Sequence, residues 1–223
     1  MKEVLFGENG VSAGLKPGAL VIDMSSVTPM ESRETAEVLK SFQAAFLDAP
    51  VSGGEEGAIK GTLAIMAGGS ETDFQRAQPV FQVLGSSAVL IGDTGSGSVT
   101  KLANQIIVNL NIAAVSEALV LAKKAGTNPE KVFQAIRGGL AGSQVLEDKA
   151  PRMIERRFDP GGKISVNHKD IKNVLQTSHE LDVPLPMTSM LFEIMGALKV
   201  SGHFDDDHSG IVQYFEGLAD VQV

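Results

Sequence analysis

The sequence predicts an α/β layer followed by an all-α domain, and three observations lead there. Short apolar runs alternate with helical patterns as far as Gly92, only helical periodicity follows Val99, and a glycine-rich stretch from Gly92 to Gly97 separates the two. Strands that alternate with helices build α/β layers, because each sheet face must be covered by a helix.

Lys2-Glu-Val-Leu-Phe6 reads as a helix end, with Gly7 or Gly10 as its stop. After the turn Lys16-Pro-Gly18, the run Ala19 to Met24 is of buried-strand type. Ser25-Ser-Val-Thr-Pro29 combines small hydroxyl residues with a proline suited to a first helical turn, so a helix is expected to about Ser41. Ala44 to Ala49 is a second strand, and Pro50-Val-Ser-Gly-Gly54 is expected to be a loop that brings backbone close to a ligand. Thr62 to Ala67 is a third strand, Glu71 to Leu84 a helix and Ala88 to Ile91 a fourth strand.

A long apolar helix then opens with Gly95-Ser-Gly-Ser-Val-Thr-Lys-Leu-Ala-Asn-Gln105 and runs to near Gly126. Gly95 and Gly97 allow a tight bend, and Ser98 or Thr100 can cap the first turn. Val99, Leu102, Ala103, Ile106, Ile107, Leu110, Ala113 and Leu121 make it oily on most sides, so burial is expected. Asn128-Pro129 starts a helix to Arg137, which Gly138-Gly139 breaks. Further helices are expected at about 143–156, 166–181, 187–200 and 207–220 from the 3.6-residue period. The domains are accordingly 1–94, α/β, and 95–223, all-helical and beginning with the interdomain helix.

The chain has 223 residues and a formal net charge of −8, with no block of lysine or arginine. That balance argues against nucleic acid and anionic membrane as partners. It contains no cysteine, which excludes disulfides, thiolate metal sites and cysteine nucleophiles. No stretch is expected to span a membrane, the N-terminus lacks a signal-peptide pattern, and the expected compartment is the cytoplasm.

Several kinds of chemistry fail on spacing. Ser52 sits in Val-Ser-Gly-Gly, not in a Gly-x-Ser-x-Gly elbow. The stretch Gly92 to Lys101 lacks the Gly-Lys-Ser/Thr ending of a phosphate-binding loop. Asp205-Asp-Asp-His208 lacks the alternation of a calcium loop and is expected to be a solvated, helix-capping acidic loop, so no metal is expected. His168-Lys169-Asp170 opens a helix and in isolation reads as a surface cluster.

Small-residue loops and two lysines remain. Lys101 and Asn104, three apart, leave the long helix on one face, and Asn111 returns to it seven residues on. A lysine in so apolar a helix either snorkels from the first turn to water or faces a cleft as a proton donor. In the second case lysine and asparagine can hold a carbonyl oxygen between them. Ser52-Gly53-Gly54 follows a strand, where backbone N–H groups and a hydroxyl can hold a carboxylate; as a bare tripeptide it is also a plain turn. Lys169 can complete a cationic lining from the helical domain.

The order of these runs resembles the β-hydroxyacid dehydrogenase family. The matching stretches are Asp23-Met-Ser-Ser-Val-Thr-Pro29, Asp48-Ala-Pro-Val-Ser-Gly-Gly54 with Gly57-Ala58 and Gly61-Thr62, Gly95 to Gln105, and Lys169-Asp170. The resemblance implies a partial Rossmann-like dinucleotide-binding domain followed by a C-terminal helical domain, with NAD or NADP as cofactor. It implies Lys101 as catalytic acid/base, Asn104 as a substrate hydrogen-bonding residue, and Ser52, Gly53 and Gly54 as the carboxylate site. Ser26, with Ser25 as the alternative, is implied beside the nicotinamide, and Lys169 near cofactor and substrate. Arg137-Gly-Gly-Leu-Ala-Gly-Ser143 and Asn111 look most like the branch that reduces tartronate semialdehyde to D-glycerate, with 3-hydroxyisobutyrate as the alternative substrate. A small anionic substrate and a homo-oligomer follow from the same likeness.

The family's Gly-x-Gly-x-x-Gly pyrophosphate loop occurs nowhere in the sequence. The resemblance therefore implies a chain that starts inside the first domain. A catalytically silent oligomerisation or substrate-side module is the competing expectation.

Overall fold

A computed structural model describes residues 2–223. The chain divides into two compact units, Met1–Asn104 and Gln105–Val223, and the division falls inside a helix rather than at the glycine-rich stretch before it.

The first unit is built on five strands: β1 (Leu20–Asp23), β2 (Ala45–Asp48), β3 (Val51–Ser52), β4 (Leu63–Gly68) and β5 (Gly85–Gly92). Its helices are α1 (Lys2–Phe6), α2 (Pro29–Ser41), α3 (Gly54–Lys60) and α4 (Glu71–Leu84). β1 runs parallel to β2 and β4 parallel to β5, while β4 is antiparallel to β2 and β3. Successive residues of a strand point to opposite faces, and the packing follows that alternation. Val21 and Phe46 meet Leu39 of α2 on one face. Leu20, Ile22, Leu47, Ile65, Ala67 and Leu90 meet Phe74, Ala77 and Phe81 of α4 on the other. Phe81 is 1% exposed, and burying a side chain of that kind stabilises by about 1.5–3 kcal/mol. α2 starts where its signals lie: the Thr28 hydroxyl accepts from the Glu31 N–H, the Glu31 carboxylate accepts from the Thr28 N–H, and Pro29 holds the first helical position.

The segment expected as a loop is ordered instead. Val51–Ser52 is a short antiparallel strand on β4, and Gly54 begins α3 directly. Two residues are too few to show a period, and their pairing is supplied by an edge of β4 more than ten residues later in the chain.

The second unit is helical: the C-terminal part of α5 (Ser96–Lys124), then α6 (Pro129–Ile136), α7 (Gln144–Ile154), α8 (Ile164–Glu180), α9 (Pro186–Val200) and α10 (Val212–Ala219), preceded by a 3-10 turn at His208–Ile211. Asn128 caps α6 and Ser143 caps α7 through their side chains. α5 corrects one expectation, because its 29 residues are long and apolar enough to cross a membrane. Its buried positions include Lys101, Gln105, Asn109 and Ser116. Asn109 donates to the Gln105 carbonyl (2.9 Å) and Ser116 to the Ile112 carbonyl (2.8 Å). Four polar side chains buried within the protein, a lysine among them, mark that face of α5 as packed against protein, since hydrocarbon makes each one costly.

The acidic run near the C-terminus is not a solvated loop. Asp205 is exposed, but Asp207 is fully buried. Its carboxylate accepts from the N–H groups of Ser209 (3.0 Å), Gly161 (3.2 Å) and Gly162 (3.0 Å), and faces Lys149 Nζ at 3.3 Å. Burial opposes its ionisation, yet the Ser209 N–H and Lys149 outweigh burial and lower its pKa to about 2. Neighbouring His208 is pushed down to about 4, first by burial and then by Lys149, against the pull of Asp207. Both shifts act in the same direction. Between pH 6.5 and about 4 the unfolded chain takes a proton at His208 that the folded chain refuses, so stability falls as pH falls. A drop of about 3 kcal/mol is expected across that window. Urea melts at pH 7 and pH 4.5 should show it, and His208→Gln should flatten the difference; an unchanged slope in the variant would assign the loss elsewhere.

Candidate functional site

In the first unit, the segments after β1 and β2 and the start of α5 all begin at one edge of the sheet. β1 and β2 are parallel with Asp23 opposite Asp48, so the loops leaving their carboxyl ends start side by side. The first loop carries Ser25 and Ser26, and the second leads through β3 to Gly53 and Gly54. The start of α5 is brought to the same edge by Asp48, which is 1% exposed. Asp48 Oδ1 accepts from the Gly95 N–H and Oδ2 from the Ser98 N–H, each at 2.7 Å. The Ser98 and Ser32 hydroxyls share a buried hydrogen bond of 2.9 Å.

The Ser98 N–H in the first turn of α5 and the Gly95 N–H just before it are thus satisfied by a side chain of β2, not by Ser98 or Thr100, while the Ser96 N–H turns back to the Asp93 carbonyl. Gly97 is needed for closeness rather than for a bend: a Cβ there would lie 2.5 Å from the Asp48 carbonyl oxygen and 3.0 Å from Oδ2. Burial pushes the Asp48 carboxyl above its ordinary pKa, while the Gly95 and Ser98 N–H groups and the Ser98 hydroxyl pull it back.

Lys101 lies within the next turn and a half of α5 and is 8% exposed. Asn104, one turn on, is half-buried on the same helix face. Ser52 is half-buried in β3, while Gly53 and Gly54 are exposed with φ of 140° and 64°. Those angles favour glycine, and no heavy atom lies within 4 Å of where a Cβ on Gly54 would sit. Ser26 is half-buried, and its turn is shaped by Asp23 Oδ1 accepting from the Ser25 N–H at 3.1 Å. Two concavities of the surface, one around Glu3 to Val11 and one around Arg156 and Glu216, are lined by none of these residues.

Lys169 belongs to the second unit, exposed on α8 and paired with Asp170 at 2.9 Å. Its neighbours are not a surface cluster. Asp170 is buried and accepts from Gln105 Nε2 at 2.6 Å, with Asn167 Oδ1 also near that amide (3.4 Å). His168 stacks on Phe192 at 4.3 Å and meets Phe204 edge-on at 5.3 Å. Burial, then Lys199 and Lys172, hold its pKa below the usual histidine value. α8 begins at Ile164, so this triplet sits in its second turn rather than at its start. Asn111 receives the Ser143 hydroxyl at a long 3.4 Å. Among the described residues, no group of three or more His, Asp or Glu side chains is placed to hold a metal.

Comparison with known proteins defines the class. Residues 1–92 match a family model for the NAD binding domain of 6-phosphogluconate dehydrogenase. Residues 95–215 match one for the NAD-binding region of NADP-dependent 3-hydroxyisobutyrate dehydrogenase. The chain belongs to the β-hydroxyacid dehydrogenase family and is an NAD(P)-dependent oxidoreductase acting on a hydroxyl group.

Among its relatives, 2-hydroxy-3-oxopropionate reductase of Escherichia coli K12 is 46% identical over 98% of this chain and 75% of its own. A 2-(hydroxymethyl)glutarate dehydrogenase of Eubacterium barkeri is 36% identical over 100% of this chain and 74% of its own. The crystal structure of 3-hydroxyisobutyrate dehydrogenase from Salmonella typhimurium superimposes with a TM-score of 0.88 at 30% identity, covering 95% of this chain and 74% of that one. The chain thus spans about three quarters of the length of these relatives.

The residues present fit the nicotinamide end of such a cofactor. Asp23 Oδ2 is buried at the carboxyl end of β1, beside the Ser25–Ser26 turn, and accepts no hydrogen bond within the protein. An open acceptor there suits an amide N–H donor such as the nicotinamide carboxamide.

Proposed function

We propose that this chain reduces tartronate semialdehyde to D-glycerate with NADH or NADPH, with Lys101 as the acid/base. The observation that carries the reading is the buried Lys101 with Asn104 on one face of α5, close in sequence to the helix start that Asp48 ties to the sheet's carboxyl edge. The 46% identity to a 2-hydroxy-3-oxopropionate reductase along nearly the whole chain supports this substrate over the others named among its relatives.

The cofactor, when bound, supplies the hydride. Ser26, with Ser25 as the alternative, lies beside its nicotinamide, and Lys169 is a further cofactor-binding residue. Ser52 and the N–H groups of Gly53 and Gly54 hold the substrate carboxylate, because first-turn N–H groups of a helix have no acceptor within it. Asn104 donates to the aldehyde oxygen and orients it. As negative charge grows on that oxygen, the Lys101 ammonium stabilises it and delivers the proton that completes the alcohol. In a protein of net charge −8, local cations and N–H groups of this kind are what an anionic substrate requires.

The chain is further proposed to be cytoplasmic and homo-oligomeric. Ile107 and Leu121, 67% and 72% exposed on α5, support an association surface, and light scattering of the purified chain checks it.

The test of the function is NADH and NADPH binding by fluorescence, followed by oxidation on adding tartronate semialdehyde, with 3-hydroxyisobutyrate, L-threonate and 2-(hydroxymethyl)glutarate assayed in the oxidative direction. Saturable binding and fastest turnover with tartronate semialdehyde are expected. Preference for 3-hydroxyisobutyrate would reassign the substrate, and a folded chain with no dinucleotide binding would leave the silent substrate-side module.

A further inference from the structure

We infer that Asp48 is a positioning residue for the proton transfer, acting through the backbone of the first turn of α5 on Lys101; the inference rests on the acid/base reading of Lys101. The buried carboxylate receives two short hydrogen bonds, from the Gly95 and Ser98 N–H groups at 2.7 Å each. These N–H groups bracket the first turn of the helix, so the two oxygens together fix both its axial position and its rotation.

The surroundings make this clasp tight. A Cβ at Gly68 would lie 2.6 Å from Asp48 Oδ1, and one at Gly97 would lie 3.0 Å from Oδ2. Two glycines therefore let backbone close on the carboxylate from both sides. The Ser32–Ser98 hydroxyl bond adds a second anchor from α2 to the same turn.

Lys101 follows Ser98 by three residues, so an error in the rotation of this turn is carried directly to the direction of its side chain. A clasp for stability alone needs no ionisable group here, since an N-cap serine or asparagine fills that role at other helices of this chain: Ser70 for α4, Asn128 for α6 and Ser143 for α7. A carboxylate taken out of water against the cost of burial is the more expensive choice. It supplies two charged acceptors with fixed spacing, which hold the turn in one setting.

Asp48→Asn tests it, because the amide keeps one acceptor and turns an N–H2 toward the other N–H. The expected result is a loss of about 10²-fold in kcat, the size of effect that a misplacement near 1 Å produces, with KM for the semialdehyde changed little. Asn128→Ala, which removes the α6 cap in the second unit, serves as a control for general destabilisation and should leave kcat intact. The deciding measurement is a double-mutant cycle with Lys101→Met under single-turnover conditions. If Asp48 acts through Lys101, Asp48→Asn adds nothing once the lysine is gone. Additive losses, or a kcat unchanged in Asp48→Asn, overturn the inference while leaving Lys101 in place. Full activity in Lys101→Met alone removes the acid/base reading itself.

Discussion

Lys101→Met is expected to reduce turnover by about 10³- to 10⁴-fold while the protein stays folded. A positioned general acid contributes about 10²- to 10⁴-fold, and loss of the charge facing the developing alkoxide adds to it. Methionine keeps most of the length of the apolar stem in a helix whose Leu102 and Lys101 are both buried, so thermal stability should move little. Lys101→Arg is not expected to restore activity, because a planar, permanently charged guanidinium neither fits the same direction nor gives up a proton. Steady-state kinetics of both variants with NADH and NADPH, beside circular dichroism, decide the matter. Wild-type kcat in the methionine variant would exclude Lys101 as the proton donor.

The largest effect on stability is expected at Asp207, where replacement by alanine should cost about 3–5 kcal/mol. Three backbone N–H groups lose their acceptor at once, and the buried Lys149 keeps only the half-exposed Asp148 at 2.8 Å. The partner substitution is not symmetric. Lys149→Met leaves Asp207 with its N–H donors from Gly161, Gly162 and Ser209, so it should cost about 1–2 kcal/mol, nearer to one charge-assisted contact. Urea unfolding monitored in the helical region measures both. Equal losses would mean that the ion pair, not the backbone clasp, carries the stabilisation.

How far the site was legible depended on whether a residue's partner lies near it in sequence. The helix start at Ser25 to Pro29 and the cap at Asn128 rest on contacts across three residues, and the pattern of types sufficed. The face shared by Lys101 and Asn104 is likewise a matter of helical period. Asp48 was visible only as part of a motif. Its partners Gly95 and Ser98 lie 47 and 50 residues on, and nothing local to either segment announces the bond. An aspartate at a strand end followed later by a glycine-rich helix start is the one signal that could have found it.

The misreadings have the same origin. Asp207 reads as solvated in the sequence because its neighbours Asp205 and Asp206 are acidic too, yet Gly161, Gly162 and Lys149 close over it from 45 to 58 residues away. His168-Lys169-Asp170 looked like a surface cluster for want of Phe192, Phe204 and Gln105. Val51–Ser52 is a strand only because β4 offers it an edge.

The sequence by itself therefore determined most of the element types, the change from α/β to helical architecture and the family. Each of these rests on periodicity, capping and residue order, which are local properties of the chain. Only the tertiary structure decided which carboxylates are buried, which backbone donors they hold and how the start of α5 is locked. Those depend on long-range approach, where a charge is tolerated only if distant segments bring its partners to it.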